Sequence, residues 1–144
     1  MFKKLSSVVY LKYIKIGVGD IMKFSKQREL ILNTVIENHV HPSADFIYTY
    51  LKKDNPNLSL GTVYRNLAQL VEHQFIKKVS IPGYPDKFDG NLNDHYHLIC
   101  EKCGEIYDLN SDVLNTLNET LSNELGVKVT YSNITIKGIC NNCK

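Results

Sequence analysis

Residues 93–104, NDHYHLICEKCG, bring four potential metal ligands into one short stretch. His95 and His97 lie two residues apart, and Cys100 and Cys103 form a C-x-x-C pair. Imidazole nitrogens and thiolate sulfurs are common ligands of zinc and of other first-row divalent ions. The stretch therefore predicts metal binding, and the open question is whether its four side chains share one ion.

A second C-x-x-C pair, Cys140 and Cys143, lies at the end of the sequence. Each pair can direct both thiolates at one tetrahedral ion, so the two pairs predict a closed structural zinc site. The 36 residues between Cys103 and Cys140 exceed a usual zinc-ribbon insertion, so strands and a helix must bring the pairs together. The alternatives are two short disulfides, or a thioredoxin-type motif, which would open a helix.

His95 and His97 project from one face of a strand, because residues two apart point the same way. Two imidazoles facing together suggest a shared ion if other segments supply further ligands. The candidate ligands elsewhere are His41, Asp89 and Asp108. Each of these three has an ordinary alternative as a helix-end histidine or a solvated carboxylate. His39 and His73 have no such setting, and no metal role is assigned to them.

The first half of the chain predicts three helices and a hairpin. Ser25, Ser43 and Ser59 each stand as an N-cap before apolar residues at helical spacing, and the second helix ends at 55–57. FIKKVSI is strand-like and returns through the turn PGYPD into KFDG. This order indicates a winged helix-turn-helix domain; a small helical domain with a merely amphipathic third helix is the alternative.

The helix faces indicate what each helix contacts. In the second helix one apolar face is expected to hold Phe46, Ile47, Tyr50 and Leu51. In the third helix the core side holds Val63, Leu67, Leu70 and Val71. The opposite face carries hydrogen-bonding groups of the kind that touch base edges: Thr62, Arg65 and Gln69.

After Asn93 the pattern predicts an α/β unit. HYHLIC and GEIYDL alternate like strands, and a helix that ends at Gly126 follows them. VKVTY and NITIKGIC then predict two more strands. Its apolar stripe is Leu114, Leu117, Leu121 and Leu125. A unit of about 50 residues needs a metal, a partner subunit, or both. The fold class is α+β, with an N-terminal domain over 1–88 and a C-terminal α/β domain over 89–144.

Charge separates the two halves. Up to Gly90 the chain has 13 Lys and Arg against 8 Asp and Glu, a net +5, and from Asn91 onward 4 against 7, a net −3. The first half is therefore expected to meet a polyanion. Lys12 and Lys15 interrupt the first apolar run, and no later run approaches the roughly 18–20 apolar residues of a membrane span. We expect a cytoplasmic protein with reduced thiols and no membrane partner.

Five segments resemble, in order and spacing, the ferric uptake regulator family of bacterial metal-dependent repressors: HPSAD, GTVYRNL, KFDG, DHYHLICEKCGEIYD and CNNC. The resemblance covers about residues 23–143 and is strongest to the peroxide-sensing branch. It implies a homodimeric transcriptional repressor of operator DNA, not an enzyme, whose C-terminal domain dimerises. Two departures are a divergent extension over 1–22 and KFSKQR where the family tends to have a T-P-Q-R type start.

The resemblance also implies the ligand sets. Structural zinc falls on Cys100, Cys103, Cys140 and Cys143, and a regulatory Fe(II) or Mn(II) falls on His41, Asp89, His95, His97 and Asp108. Iron-sensing relatives commonly have glutamate where Asp108 stands and more histidines before H-x-H, which favours the peroxide branch. In that branch peroxide converts a ligand histidine to its oxo form, so His41 and His95 are the implied oxidation targets.

Expected DNA contacts follow from the same comparison. Bases are expected to meet Thr62, Arg65 and Gln69, and phosphates Lys52, Lys53, Tyr64, Lys77 and Lys78. Arg65 stands where peroxide regulators often have asparagine. The alternative functions are an iron or zinc uptake regulator on the same scaffold, a metal-dependent hydrolase or oxygenase, and a purely structural zinc module.

Overall fold

A computed structural model describes residues 25–93, 95–109, 112–130 and 134–144, without the side chains of 113 and 114. The extension over 1–22 lies outside the described residues. The helices are α1 (Lys26–Glu37), α2 (Ala44–Lys52), α3 (Leu60–Glu72) and α4 (Asp112–Leu125). The strands are β1 (Lys77–Val79), β2 (Lys87–Asp89), β3 (Tyr96–Cys100), β4 (Ile106–Leu109) and β5 (Thr135–Gly138). Within the described ranges, no helix is long and apolar enough to span a membrane.

The three predicted N-caps are confirmed. The hydroxyls of Ser25, Ser43 and Ser59 each accept a hydrogen bond from the backbone N–H three residues later. An N-cap of this kind satisfies one of the free donors at a helix start and fixes where the helix begins. Local sequence therefore determines the starts of α1, α2 and α3.

One core holds the first half together. Helices α1, α2 and α3 pack around fully buried side chains such as Ile31, Ile47 and Leu67. Strands β1 and β2 form an antiparallel hairpin, the wing, and the N–H of Phe88 donates to the Pro42 carbonyl at 3.0 Å. The predicted winged helix-turn-helix is confirmed, with its wing fastened to the start of α2.

The expected apolar face of α2 is partly wrong. Ile47 and Leu51 are buried, but Phe46 is 44% and Tyr50 56% exposed. Their rings stack on each other with centroids 6.1 Å apart. The buried side of α2 runs through Ala44, Ile47 and Leu51, and a residue one position earlier lies about 100° around the helix. Phe46 and Tyr50 therefore flank the core rather than enter it.

The second half is a three-stranded sheet with one helix. The strand order is β4-β3-β5; β3 pairs antiparallel with β4 and parallel with β5, and α4 makes the connection between the outer strands. The register sets His97 opposite Asp108 and Cys100 opposite Gly138. These pairings position both candidate metal sites.

The strand predicted over VKVTY is not found in its described part, since residues 127–130 have no strand and Tyr131 lies outside. Instead the N–H of Val129 donates to the Ser122 hydroxyl at 3.1 Å, so this segment folds back on the end of α4. Val127 is 54% exposed. A strand needs a hydrogen-bonded neighbour, and none of the strands in the described ranges pairs with it.

The wing also packs on the second half. Ile81, Ile99 and Ile106 form a small buried cluster with Val79 and Tyr84 at its edge. The Tyr84 hydroxyl donates to the carbonyl of Glu101 at 2.9 Å, and a Cβ added at Gly104, whose φ is +71°, would overlap the Tyr84 ring. Glycine at this position therefore permits the turn and the contact with the wing.

Candidate metal centres

The four cysteines converge. Their sulfurs lie within 4.8 Å of one another, although the two pairs are far apart in sequence. Cys100 ends β3, and its neighbour in the sheet is Gly138, two residues before Cys140. The N–H of Glu101 donates to the Gly138 carbonyl at 2.9 Å, which extends the pairing into the first turn. Parallel pairing of β3 with β5 thus brings the two C-x-x-C turns together.

The spacing of the sulfurs fits a tetrahedral ion. The sulfurs of Cys103 and Cys140 are 3.8 Å apart, too far for a disulfide of about 2.05 Å. Zn–S bonds of about 2.3 Å in a tetrahedron separate the sulfurs by about 3.8 Å. Backbone N–H groups of Cys140 and Cys103 lower the pKa of the Cys100 thiol to about 6, whereas the neighbouring thiols raise the pKa of Cys143 to about 12. The residues therefore fit a closed structural zinc site.

Five further side chains converge at a second point. One nitrogen or oxygen from each lies within 4.8 Å of all the others. They come from the α1–α2 turn, from β2, from the approach to β3, and from β3 and β4: His41, Asp89, His95, His97 and Asp108. Strand register explains part of this, since His97 and Asp108 are paired residues on one face. The cluster joins the two halves of the chain.

These atoms face a common point rather than each other. Six distances from histidine Nε2 atoms to Asp89 Oδ2 or Asp108 Oδ1 lie between 2.9 and 3.5 Å. Yet the Nε2 atoms of all three histidines, and Asp89 Oδ2, are buried and have no hydrogen-bond partner within the described residues. Buried polar atoms without hydrogen-bond partners are rare, and four that converge on one point fit an ion-binding site.

The distances also fit a divalent ion. Bonds of about 2.1 Å separate neighbouring ligand atoms by about 3.0 Å at right angles and about 3.6 Å at 120°. The observed separations fall across this range. Three imidazoles with two carboxylates form a mixed set that suits Fe(II), Mn(II) or Zn(II). The residues present therefore fit a resident divalent ion at this centre.

Backbone contacts orient two of the ligands. Asp89 Oδ1 accepts the N–H of Asn91 at 2.7 Å, which leaves Oδ2 for the cluster. His95 Nδ1 lies 2.8 Å from the Asn93 carbonyl, so Nδ1 carries the proton and Nε2 keeps its lone pair. Burial alone would raise the pKa of Asp89, but the facing imidazoles of His41 and His97 and the N–H of Asn91 hold that pKa well below its ordinary value. Asp89 is thus a carboxylate at neutral pH.

His41 has an unusual backbone, and one side of the cluster is open. Its φ is +52°, the left-handed region that glycine favours, although its side chain is only 2% exposed. Such backbone strain is common where a side chain must be aimed at a site. A cavity of about 200 Å³ reaches His41, Asp89 and Asp108, and Asp108 is 39% exposed. A small molecule can therefore approach the cluster from this side.

The surface expected to meet DNA lies on α3. Tyr64, Arg65 and Gln69 are exposed, and the guanidinium of Arg65 donates to the Thr62 hydroxyl at 3.2 Å. Gln69 accepts a hydrogen bond from Arg28 of α1. The three residues expected to contact bases, Thr62, Arg65 and Gln69, thus lie on one side of α3, and Tyr64 lies exposed at its flank.

The lysines expected at phosphates differ in their surroundings. Lys53 is exposed, Lys78 pairs with Asp86 at 3.3 Å, and Lys77 donates to the Asn93 carbonyl at 3.3 Å. The ammonium of Lys52 donates to the carbonyls of both Pro56 and Leu58 at 2.7 Å. Lys52 therefore closes the turn after α2, which argues against a phosphate contact there.

Several supporting residues were not anticipated from the sequence. Arg28, Asn66 and Tyr84 link elements far apart in sequence, and periodicity gave no signal for them. Asn91 and Asn93 orient ligands through short-range turns, which their Asn-rich stretch could have indicated. His39 lines the cavity beside the five-ligand cluster; in the described part of the chain, His39 and His73 belong to neither ligand cluster.

Comparison with known proteins agrees with this architecture. The Ferric uptake regulator family matches residues 20–137. The peroxide-responsive repressor PerR of Staphylococcus aureus (strain NCTC 8325 / PS 47) is 35% identical over 123 residues, which cover 85% of this chain and 83% of that protein.

Solved structures give the same fold. The Campylobacter jejuni peroxide stress regulator is 27% identical with a TM-score of 0.66, covering 96% of this chain and 100% of that one. The Helicobacter pylori ferric uptake regulator Fur, at 22% identity, shows the fold alone; its TM-score is 0.75, and 95% of this chain and 89% of that one are covered. The family match over residues 20–137 and the 35% identity over most of both chains establish that the chain belongs to the ferric uptake regulator family.

Proposed function

We propose that this metal-responsive regulator is a transcriptional repressor that holds operator DNA as a homodimer when its five-ligand centre carries Fe(II) or Mn(II). Hydrogen peroxide releases the DNA by oxidising a histidine of that centre. The winged-helix domain spans 1–88 and the metal-binding dimerisation domain 89–144, and the protein acts in the cytoplasm. One observation carries the proposal: the ligand cluster draws on both halves of the chain.

The metal response follows from that cluster. His41 lies in the first domain and Asp89 at the boundary, as the last residue of the wing strand β2, while His95, His97 and Asp108 belong to the second domain. An ion bound by all five favours the single relative orientation in which the ligands meet, and so shifts the population toward it. By linkage, operator DNA that selects this orientation must tighten metal binding by the same factor.

The DNA response requires two copies of α3. In a dimer the two helices must enter half-sites about one turn of DNA, roughly 34–36 Å, apart or a multiple of it. Exposed apolar residues of α4, Leu117, Leu121 and Leu125, support a partner subunit on that helix. The net positive charge of the first half supports binding to phosphates.

Peroxide sensing rests on the open side of the cluster. Fe(II) held by these five residues would supply the redox chemistry for hydrogen peroxide, which would place one oxygen atom on an imidazole carbon of His41 or His95 and release the other as water. Both rings point Nε2 at the same centre, so both would lie beside an ion held there. The cavity beside Asp108 offers peroxide an approach. A ligand so damaged no longer holds the two halves together.

The 35% identity to a peroxide-responsive repressor supports this branch of the family. The alternative is an iron or zinc uptake regulator on the same scaffold without peroxide chemistry. Arg65, exposed on α3 where the peroxide branch often has asparagine, bears on which operator sequence the protein prefers. Both functions use the structural zinc and metal-dependent binding of DNA.

The experiment that separates them measures operator binding by gel shift with Mn(II) or Fe(II), before and after hydrogen peroxide. The peroxide sensor releases DNA only in its iron form and gains one oxygen atom on a His41 or His95 peptide by mass spectrometry. An uptake regulator keeps its DNA and gains no oxygen. A chain that binds no duplex with either metal contradicts both functions.

A further inference from the structure

Gln69 lies on the exposed face of α3, and its side chain meets the guanidinium of Arg28 on α1. We infer that Arg28 sets the base preference of Gln69 by fixing which end of its amide faces the DNA. This inference rests on the proposed function, because it requires α3 to enter the major groove. It adds Arg28 as a positioning residue for DNA recognition.

The orientation of the pair is determined from inside the protein. Asn66 is 8% exposed, and its amide nitrogen donates to the Thr62 backbone carbonyl at 2.8 Å. Its Oδ1 must then face the other way, where it accepts from Arg28 Nε at 2.9 Å. A guanidinium has donors only, so the atom of Gln69 that Arg28 meets is the carbonyl Oε1. The donor-only guanidinium, which Asn66 holds in place, thereby fixes the polarity of the exposed Gln69 amide.

This polarity changes what Gln69 can recognise. Glutamine reads adenine through two bonds, in which Oε1 accepts from N6 and the amide nitrogen donates to N7. With Oε1 turned toward Arg28 on α1, the amide nitrogen and its two N–H donors form the end of the side chain that is left to face a base edge. Guanine presents two acceptors, N7 and O6, in the major groove. Gln69 is therefore set to favour guanine over adenine.

The test selects binding sites from a pool of randomised duplexes with the Mn(II)-loaded full chain. Gln69→Ala identifies the base pair at which Gln69 acts, because the preference at that position alone flattens. At that base pair the wild type is expected to favour guanine over adenine by about fivefold or more.

The decisive variant is Arg28→Met, which keeps the apolar stem and removes the donors. Gln69 can then turn over, and adenine should gain about fivefold or more relative to guanine at that base pair. Lys26→Met is the matched control, since Lys26 is exposed on the same turn of α1 and loses the same charge. It should weaken binding evenly and leave every base preference unchanged. In the Gln69→Ala background, Arg28→Met should alter no preference.

Gln69→Glu provides a second route that leaves the α1–α3 packing intact, because residue 69 is exposed. Its carboxylate accepts from Arg28 but offers no donor, so the preference should move to cytosine, whose N4 donates. An even loss over all sequences in Arg28→Met, like that of Lys26→Met, would make Arg28 a phosphate contact and overturn the inference. So would a changed preference that persists without Gln69. A wild type that enriches no sequence would overturn the proposed function as well, whereas the first two results leave it intact.

Discussion

The two ligand clusters differ in where their residues come from. The four cysteines all belong to the second half and converge through the pairing of β3 with β5. The five mixed ligands come from both halves, and one of them, Asp108, is 39% exposed. The first cluster can be complete whenever the second half is folded. The second cluster can be complete only when the two halves adopt one relative orientation. It is therefore suited to a regulatory role, and the first cluster to a structural one.

The largest effect is expected from breaking the cysteine cluster. Cys103→Ser leaves three thiolates, and structural zinc contributes apparent binding free energies of about 10–16 kcal/mol in small zinc domains. The second half should lose its zinc and its protection from hydrogen exchange. Helices α1–α3 have a separate core and should keep their protection from hydrogen exchange. Zinc content and site-resolved hydrogen exchange measure both.

The matched control is Asn141→Ala, an exposed residue of the second C-x-x-C turn. It should retain zinc and protection at wild-type levels. If Cys103→Ser instead lowers the hydrogen-exchange protection of α1–α3 as much as that of the second half, the two halves fold as one unit. The cysteine cluster would then not be independent of the first half.

The next effect concerns the cluster that spans the halves. Asp89→Ala removes a buried carboxylate that three imidazoles face, and Mn(II) affinity should fall by more than about 100-fold, beyond the loss typical of supporting residues. Zinc should stay bound. Titration of free Mn(II) by electron paramagnetic resonance, with zinc assayed in parallel, gives both quantities.

His73→Ala serves as the control, because His73 is an exposed histidine at the end of α3. Its Mn(II) affinity should equal that of the wild type. Loss of zinc together with Mn(II) in Asp89→Ala would show that the two centres are not independent.

The sequence alone predicted the cysteine cluster completely and the mixed cluster only in part. The cysteine site followed from two C-x-x-C pairs, whose spacing carries its own chemistry. For the mixed cluster, alternation predicted only that His95 and His97 face together. His41, Asp89 and Asp108 remained candidates until the family resemblance joined them, since contacts across domains leave no local pattern.

The secondary structure shows the same division. The starts of α1, α2 and α3 were predictable because serine caps act locally. The exposure of Phe46 and Tyr50, and the missing strand over 127–130, depend on what lies beside those segments in the fold. The packing of Tyr84 against Gly104 joins residues twenty apart and could not be read from periodicity.

That packing gives an intermediate prediction, because it links the wing to the first C-x-x-C turn. Tyr84→Ala removes a hydrogen bond to Glu101 and the ring that covers Gly104, and should lower the unfolding free energy of the second half by about 2 kcal/mol. Urea unfolding of the zinc-loaded chain measures it. Pro82→Ala, exposed in the same turn, should lower the unfolding free energy by less than about 1 kcal/mol, through the unfolded state alone. An unchanged unfolding free energy in Tyr84→Ala would mean that the wing does not stabilise the first C-x-x-C turn.

The smallest effect is expected from a bond inside the cysteine site. The Lys102 ammonium, in the first C-x-x-C turn, donates to the Cys143 carbonyl in the second at 2.9 Å. The bond is exposed, so its net contribution is about 0.5–1 kcal/mol. Lys102→Met should therefore speed zinc release to a coloured chelator by roughly two- to fivefold.

Lys144→Met, with the same loss of charge at the exposed end of the chain, should release zinc at the wild-type rate. Strand pairing already joins the two turns through Glu101 and Gly138 independently of Lys102. A much larger acceleration in Lys102→Met would show that a surface side chain, and not the sheet, holds the turns together. The cysteine site would then depend on a long-range contact, as the five-ligand site does. The two sites would differ only in their types of ligand.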